Sequence, residues 1–340
     1  MSMPKLLSSK RVLLLLAAGM SIAAAPAGHY AVSRSISGPD GGWDYAKVDP
    51  ATRTLYVARG ADVTAVDLAH GDAVRAIGTI ARGHAVVPVA GGKLLLVTSG
   101  HDDSVRLLDT SDGHEVASIP VGKNPDAAFI DPTSGNAVVM NAKDGTVSII
   151  DIAARKVTGT ITLKPGLEYA VSSADGTLFV NNEDANEIET ANLKTGKVGA
   201  AIALTGCTGP TGLALDAKTG VLISACGNGK AAVVDVRTKK LRNLLSIGQG
   251  PDAVILDAAR RTAFIPNGRD GTLSVIALDG PGGPKVVDTV KTGVGARTGT
   301  LDASDGALYL PTANFAPPAT AGARPTMVPG SFHVIVVTRQ

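Results

Sequence analysis

Two histidines and a neighbouring acidic residue are the first candidates for metal ligands in this sequence. His84 and His101 are 17 residues apart, and Asp102 follows His101 directly. Two imidazoles and a carboxylate can bind a divalent metal and activate water. The spacing matches no known ligand motif, so ordinary loop residues remain the main interpretation of these side chains.

The densest acidic cluster in the sequence lies at 182–187 and contains Glu183, Asp184 and Glu187. Carboxylate oxygens are the ligands that calcium prefers, but the EF-hand spacing and its glycine are absent. We therefore favour a solvated loop and keep Asp184 as a weak metal candidate beside His84, His101 and Asp102. No metal site is assigned and no cofactor is predicted, although a divalent metal is compatible with these residues.

Motifs for other chemistries are absent from the sequence. No Gly-x-Ser-x-Gly segment occurs, which argues against a hydrolase of the nucleophile-elbow type. The glycines at 227–230 and 293–295 lack the strand-to-helix context that would direct backbone amides at a phosphate. Without a Cys-x-x-Cys-His segment, covalent haem is excluded.

The composition indicates a large folded core with many tight turns. Of the 340 residues, 40 are glycine, 44% are hydrophobic and only 18% are charged. This balance excludes a disordered chain, and the longest apolar run is too short for a membrane domain.

The first 27 residues have the pattern of a secretory signal peptide. Lys5, Lys10 and Arg11 precede an apolar stretch at 12–25, and small residues then predict cleavage between Ala27 and Gly28. The remaining chain has 29 basic and 30 acidic residues, a net charge of −1. We therefore expect a periplasmic or secreted protein with no membrane span in its mature chain. The near-neutral charge makes nucleic acid an unfavoured partner.

A four-residue pattern repeats along the whole mature chain, which is the mark of a repeat fold. The segments 56–59, 96–99, 138–141, 179–182, 223–226, 264–267 and 309–312 begin 40, 42, 41, 44, 41 and 45 residues apart. Turn-forming acidic residues precede most of them and a second β-rich run follows, so each unit predicts four short strands, a to d.

Seven such units predict an all-β, seven-bladed β-propeller of four-stranded antiparallel blades. The expected blades lie near 43–84, 85–125, 126–166, 167–210, 211–251, 252–296 and 297–340. The last unit lacks a strand d, and residues 30–37 resemble one. We expect this N-terminal strand to complete the last blade and close the ring, in a protein that works as a monomer.

The tetrads, their spacing and the Gly-x-x-Pro-Asp turns at 122–126 and 248–252 resemble the exported YVTN-repeat, YncE-like β-propeller family. The resemblance covers the chain from about residue 30 to its end. It implies the fold and a periplasmic or surface location, and it carries over no catalytic residues. The fourth tetrad position departs from the family pattern at Arg59, Ser99, Cys226 and Thr312.

In a propeller, ligands usually bind where the d-to-a and b-to-c loops converge at one mouth of the channel. This rule selects polar and aromatic residues near those loops, each of which can equally be an ordinary loop residue. The candidates are Trp43, Arg59, His84, His101, Asp126, Asn141, Glu168, Asn182, Asp252, Asn267, Arg297 and Asn314. A proline-rich insertion at 313–330 is either an irregular loop or a lid that places Arg324 and Met327 over a ligand.

The two cysteines fall at neighbouring strand ends of one blade. Cys207 precedes strand a of the fifth unit and Cys226 ends strand b. Antiparallel pairing brings these ends together, and an exported chain meets an oxidising compartment, so we expect a disulfide. Two free thiols near a binding mouth are the alternative.

The sequence favours an exported propeller that acts as a binding or interaction scaffold, with an unknown small molecule or protein bound at the channel mouth. The alternative is a metal-assisted enzyme resembling a lactonase or lyase, which rests on analogy of fold. A third possibility is binding of single-stranded nucleic acid or a cell-wall polymer by a basic and aromatic rim.

Overall fold

The computed structural model describes Met1, residues 29–317 and residues 325–340. Of the predicted signal peptide only Met1 is described, and Arg324 of the predicted lid also lies outside the described residues. In the described ranges, no helix is long and apolar enough to cross a membrane.

Within these described ranges the strands form seven four-stranded sheets and one small hairpin. The chain begins with β1 (Tyr30–Ser37). Blade 1 contains β2 (Trp43–Asp49), β3 (Thr54–Arg59), β4 (Val63–Asp67) and β5 (Ala73–Ile77). Blade 2 contains β6 (Gly83–Val89), β7 (Leu94–Ser99), β8 (Ser104–Asp109) and β9 (Glu115–Pro120). Blade 3 contains β10 (Pro125–Ile130), β11 (Ala137–Asn141), β12 (Thr146–Asp151) and β13 (Lys156–Thr162).

The second half of the ring repeats this order. Blade 4 contains β14 (Leu167–Ser172), β15 (Thr177–Asn182), β16 (Glu187–Asn192) and β17 (Ile202–Ala203). Blade 5 contains β18 (Pro210–Asp216), β19 (Val221–Cys226), β20 (Lys230–Asp235) and β21 (Lys240–Ser246). Blade 6 contains β22 (Ile255–Asp257), β23 (Thr262–Asn267), β24 (Thr272–Ala277) and β25 (Lys285–Lys291). Blade 7 contains β26 (Thr300–Leu301), β27 (Leu308–Thr312) and β30 (His333–Arg339), and the hairpin β28 (Phe315–Ala316) with β29 (Thr326–Met327) interrupts it.

Each blade is an antiparallel meander whose first strand faces the central channel and contacts the first strands of its two neighbours. Contacts between β2 and β26 join the first blade to the last. The chain is therefore a seven-bladed β-propeller, as the repeat predicted.

The N-terminal strand closes the ring. β1 pairs antiparallel with β30, from Tyr30 opposite Arg339 to Ser37 opposite His333, and so becomes the outermost strand of blade 7. The prediction that residues 30–37 supply the missing strand is confirmed. The last sheet thus combines both ends of the described chain, which hides the edge of β30.

The apolar runs of the second strands are continuous because both faces of each blade are buried. In β7, Leu95 and Val97 pack in a core shared with blade 1, while Leu96 packs in a core shared with blade 3. All three side chains are fully buried. Successive residues of one strand therefore fill two different interfaces between blades.

The turn after the first strand of most blades is held by a buried aspartate. Asp131, for example, accepts hydrogen bonds from the backbone N and the hydroxyl of Ser134. Asp49, Asp216, Asp257 and Asp302 occupy the same place in their blades and are also buried. These turns set the register of the channel-facing strands.

A disulfide joins Cys207 to Cys226, as the sequence predicted, with 5.4 Å between the two Cα atoms. Both cysteines are buried in the core between blades 4 and 5. The bond fastens the entry of β18 to the end of β19.

Candidate functional site

One residue of each blade occupies the same place beside the channel. It lies five residues before the turn position, which is the residue that ends the first strand or directly follows it. The corresponding turn positions are 49, 89, 131, 173, 216, 257 and 302. We call the seven residues the mouth ring: Asp44, His84, Asp126, Glu168, Thr211, Asp252 and Arg297. Six of the seven side chains are ionisable. Ionisable groups are not needed to hold the blades together, so their accumulation here indicates a functional site.

A β-bulge marks the mouth ring in the first five blades. The pairing of β2 with β3 shifts between Trp43 and Ala46, so that one extra residue on β2 is left without a partner. The same shift occurs in blades 2 to 5 at Gly83, Pro125, Leu167 and Pro210. Bulges bend a strand and redirect its side chains, which accounts for a polar residue turning into the channel beside apolar neighbours.

His84 joins two carboxylates from the blades on either side of its own. Its Nδ1 lies 2.7 Å from Asp44 Oδ2 and 2.9 Å from Asp126 Oδ1. Burial alone would lower the pKa of His84, but the hydrogen bonds to Asp126 and Asp44 raise it to about 9. The imidazole therefore carries a proton at neutral pH and bridges blades 1, 2 and 3.

The adjoining part of the mouth ring, in blades 6 and 7, holds an arginine among carboxylates. Arg297 Nε donates to Asp252 Oδ2 at 2.8 Å, and its NH2 group lies 3.7 Å from Asp44 Oδ1. Burial and the charge of Asp44 raise the pKa of Asp252 to about 7, although Arg297 opposes this shift. Burial, followed by the charges of Asp126 and Asp252, raises the pKa of Glu168 well above its usual value.

Two tyrosines lie directly beneath the mouth ring. Tyr45 and Tyr169 pack with their ring centroids 5.3 Å apart, and Tyr45 also packs in one core with Ala127 and Ala253 from blades 3 and 6. The Tyr45 ring therefore extends across the channel. Beyond the tyrosines lies a cavity of about 820 Å³, lined mainly by apolar residues of the first strands and by the turns that follow them. No side chain of the mouth ring lines this cavity.

Some buried polar atoms in and next to the mouth ring have no hydrogen-bond partner. Among the described residues, six such side-chain atoms occur, and three of them are Trp43 Nε1, Tyr45 OH and His84 Nε2. Buried polar groups are nearly always hydrogen-bonded, so a cluster of exceptions indicates a place where water or a ligand completes the contacts.

Four of the predicted site residues face the interior of the blades instead of the channel. Arg59 is buried and donates to the backbone oxygens of Pro39, Gly41 and Gly42. The other three are buried asparagines that end second strands and donate to neighbouring side chains: Asn141, Asn182 and Asn267. These residues support the sheets next to the mouth and do not reach the mouth ring.

The remaining predicted residues lie around the mouth or away from it. Trp43 is half-buried and packs against Phe315 and Phe332. His101, Asp184 and Asn314 are exposed, and Asp102 pairs with Arg106. The structure thus brings together His84, Asp126, Glu168, Asp252 and Arg297, and it leaves His101, Asp102 and Asp184 outside that group.

The candidate lid begins as the β28–β29 hairpin, in which Phe315 opposes Met327. Phe315 packs on Trp43 with 6.2 Å between the ring centroids, which places the stem of the hairpin beside the mouth ring.

Sequence reasoning treated Asp44 only as one of many polar residues of the d-to-a loops, and it gave no role to Tyr45 and Thr211. A signal was present, because counting five residues back from each turn position selects Asp44 and Thr211 together with the other ring members. Tyr45 gave no such signal, since an aromatic residue in an apolar strand is usually part of the core.

Comparisons with known proteins bear on the fold alone. No protein-family model matches the chain, and no curated protein matches it. Among solved structures, a chain of hydrazine synthase from Kuenenia stuttgartiensis is similar, with a TM-score of 0.70 and 16% identity, covering 82% of this chain and 94% of that one. A chain in the crystal structure of the mitotic checkpoint complex has a TM-score of 0.71 and 13% identity, covering 88% of this chain and 95% of that one. At these identities the likeness establishes a β-propeller and nothing about activity.

Proposed function

We propose that this protein is an exported, monomeric binding scaffold related to the YncE-like propellers, and that its ligand enters the channel at the mouth ring. The observation that carries the proposal is the pair of buried polar atoms without partners, Tyr45 OH and His84 Nε2, at a mouth ring that holds four carboxylates. A rigid ring of strands holds all of these groups in place, as a preformed binding site requires.

The charges of the mouth ring favour a ligand with a cationic group. Four carboxylates face two basic side chains, His84 and Arg297, so the ring has more acidic than basic groups. Burial and the charges of Asp126 and Asp252 raise the pKa of Glu168 by disfavouring its ionised form, and no ion pair among the described residues compensates that charge. An ammonium or guanidinium group placed near Glu168 and Asp252 would supply that compensation.

A thermal-shift experiment tests the proposal with spermidine as a cationic probe and succinate as an anionic one. A ligand that binds the native state raises the melting temperature by mass action. We expect spermidine to raise it in the wild type, and Glu168→Gln and Asp252→Asn to abolish this effect while succinate has none.

The matched control is Asp184→Asn, which removes an exposed carboxylate outside the mouth ring. This variant should retain the full response to spermidine. An equal loss in Asp184→Asn would mean that spermidine binds to general surface charge, and the same shift in every variant would refute a site at the mouth ring.

A metal-assisted lactonase-like or lyase-like activity is the second candidate. The observation that favours it is that Glu168 and Asp252, both with raised pKa values, lie in the same ring as His84 and its two aspartates. Carboxyl groups with pKa values near neutrality suit general acid and base roles. Hydrolysis of simple lactones that requires added zinc and is lost in Glu168→Gln, with the fold retained, would support this candidate over pure binding.

A further inference from the structure

We propose that Asp44, His84 and Asp126 form a binding site for a single divalent transition metal, with zinc the best match. This inference rests on the proposed function in placing the ligand at the mouth ring, and it deepens that proposal by naming one ligand. The site would occupy the part of the ring formed by blades 1 to 3.

The geometry of the three side chains suits one small cation. One ligand atom from each residue can be chosen such that all three lie within 4.8 Å of one another. His84 Nδ1 already lies 2.7 Å from Asp44 Oδ2 and 2.9 Å from Asp126 Oδ1. A zinc ion bonded at about 2.0 Å to each ligand would need these atoms to separate only slightly. The ion would take the place of the proton on Nδ1, which would pass to solvent.

Tyr45 provides a second and independent indication of a ligand. This residue is 7% exposed, and its hydroxyl makes no hydrogen bond. Its ring belongs to the same buried core as Ala127 and Ala253, the residues that follow Asp126 and Asp252, so the phenol lies just beneath the mouth ring. A water molecule on a metal at this place would give the buried hydroxyl a partner.

The chemistry of the ligands selects the class of metal. One imidazole nitrogen with two carboxylate oxygens is a mixed set that suits zinc better than calcium or magnesium, which prefer oxygen ligands only. The side chains of Asp44, His84 and Asp126 are 12% to 17% exposed, so solvent reaches the cluster and a water molecule would be the fourth ligand. Three protein ligands and one open position are the arrangement of zinc sites that act on a ligand.

Isothermal titration calorimetry on the full chain, stripped with EDTA and titrated with zinc chloride, tests the site. We expect one zinc per chain, and we expect His84→Ala and Asp126→Asn each to weaken binding at least about 100-fold, because even residues that only support a ligand cost about 10- to 100-fold when they are lost. His101→Ala and Asp184→Asn, which change side chains outside the cluster, should leave the affinity unchanged.

Cobalt substitution supplies a readout that does not depend on the variants folding. Cobalt bound by one nitrogen and several oxygens in a four-coordinate site gives visible absorption, and X-ray absorption at the zinc edge would detect a single imidazole ligand. Absence of stoichiometric zinc binding, or binding that His84→Ala leaves intact, would overturn the inference. If zinc fails to bind while spermidine still stabilises the wild type through Glu168 and Asp252, the proposed function stands and only the metal site is refuted.

Discussion

The guanidinium carbon of Arg59 lies 3.8 Å from the centroid of the Phe332 ring, so a side chain of blade 1 stacks on an aromatic residue that leads into β30 of blade 7. The same guanidinium donates to the backbone oxygens of Pro39, Gly41 and Gly42, in the segment that connects β1 to β2. Arg59 therefore holds three parts of the ring closure together from a buried position.

Arg59→Met should lower the free energy of unfolding by about 3 kcal/mol, because three carbonyl oxygens lose their donor and the stacking contact loses its charge. Arg59→Lys should recover only part of this loss, since an ammonium group cannot match the planar set of donors. Urea unfolding measures both variants. Arg237→Met, at an exposed position, is the control and should change stability little; an Arg59→Met protein as stable as this control would refute the role in closure.

The closing strand makes a second prediction, centred on Tyr30. This side chain is buried and packs edge-on against Phe264 of blade 6, with 4.9 Å between the ring centroids. Tyr30→Ala should lower the free energy of unfolding by about 4 kcal/mol, because it leaves a cavity. Val32→Ala, which shortens an exposed side chain of the same strand, should lower it much less. Similar melting temperatures for the two variants would show that β1 contributes little to the closed ring.

The fold was readable from the sequence because its determinants are local and repeated. Strand residues such as Leu95 and Leu96, and turn residues such as Asp131, recur at a nearly constant spacing, and the seven repeats counted in this way give the number of blades. Even the closing strand was identifiable, because one unit lacked a strand and residues 30–37 had its pattern.

The site was only partly readable because its members meet across the ring. His84 and Asp126 followed from the rule about loops, but Asp44 gained importance only when its carboxylate was placed 2.7 Å from His84. Conversely, Arg59 was expected at the mouth, and its burial depends on Phe332, which lies 273 positions later in the sequence. Which residues of neighbouring blades contact each other is set by the closed ring and leaves no periodic signal.

The pH dependence of stability should depend strongly on Asp216, which Arg261 holds with two hydrogen bonds of 2.6 Å each. Those bonds lower the pKa of Asp216 to about 2. Because the folded pKa lies below the unfolded value near 4, this stabilisation is complete above that value and is lost as the pH falls toward 2. The ionised Asp216 carboxylate thus contributes about 2 kcal/mol to the free energy of unfolding at neutral pH.

In Arg261→Met, unfolding free energies measured between pH 5 and pH 2 should therefore fall less steeply than in the wild type. Arg237→Met should give a curve parallel to that of the wild type, because it leaves Asp216 and Arg261 in contact. A wild-type slope retained in Arg261→Met would mean that other carboxylates carry the acid sensitivity.

Gly100 offers a test of how closely the position of His84 controls the mouth ring. A Cβ atom on Gly100 would lie 3.0 Å from both Asn124 Oδ1 and His84 Cδ2 and 3.1 Å from His84 Nε2, so Gly100→Ala should displace the imidazole. If His84 binds zinc, as we propose, this displacement should weaken zinc binding about tenfold, the usual effect of disturbing the surroundings of a ligand. The chemical shift of the His84 Hε1 proton should move as well, which a general loss of stability would not cause.

Gly60 holds the same place one blade earlier, and a Cβ atom there would meet nothing within 4 Å. Gly60→Ala should thus leave zinc affinity and the His84 signal unchanged, and an equal effect of the two substitutions would exclude contact with His84 as the cause.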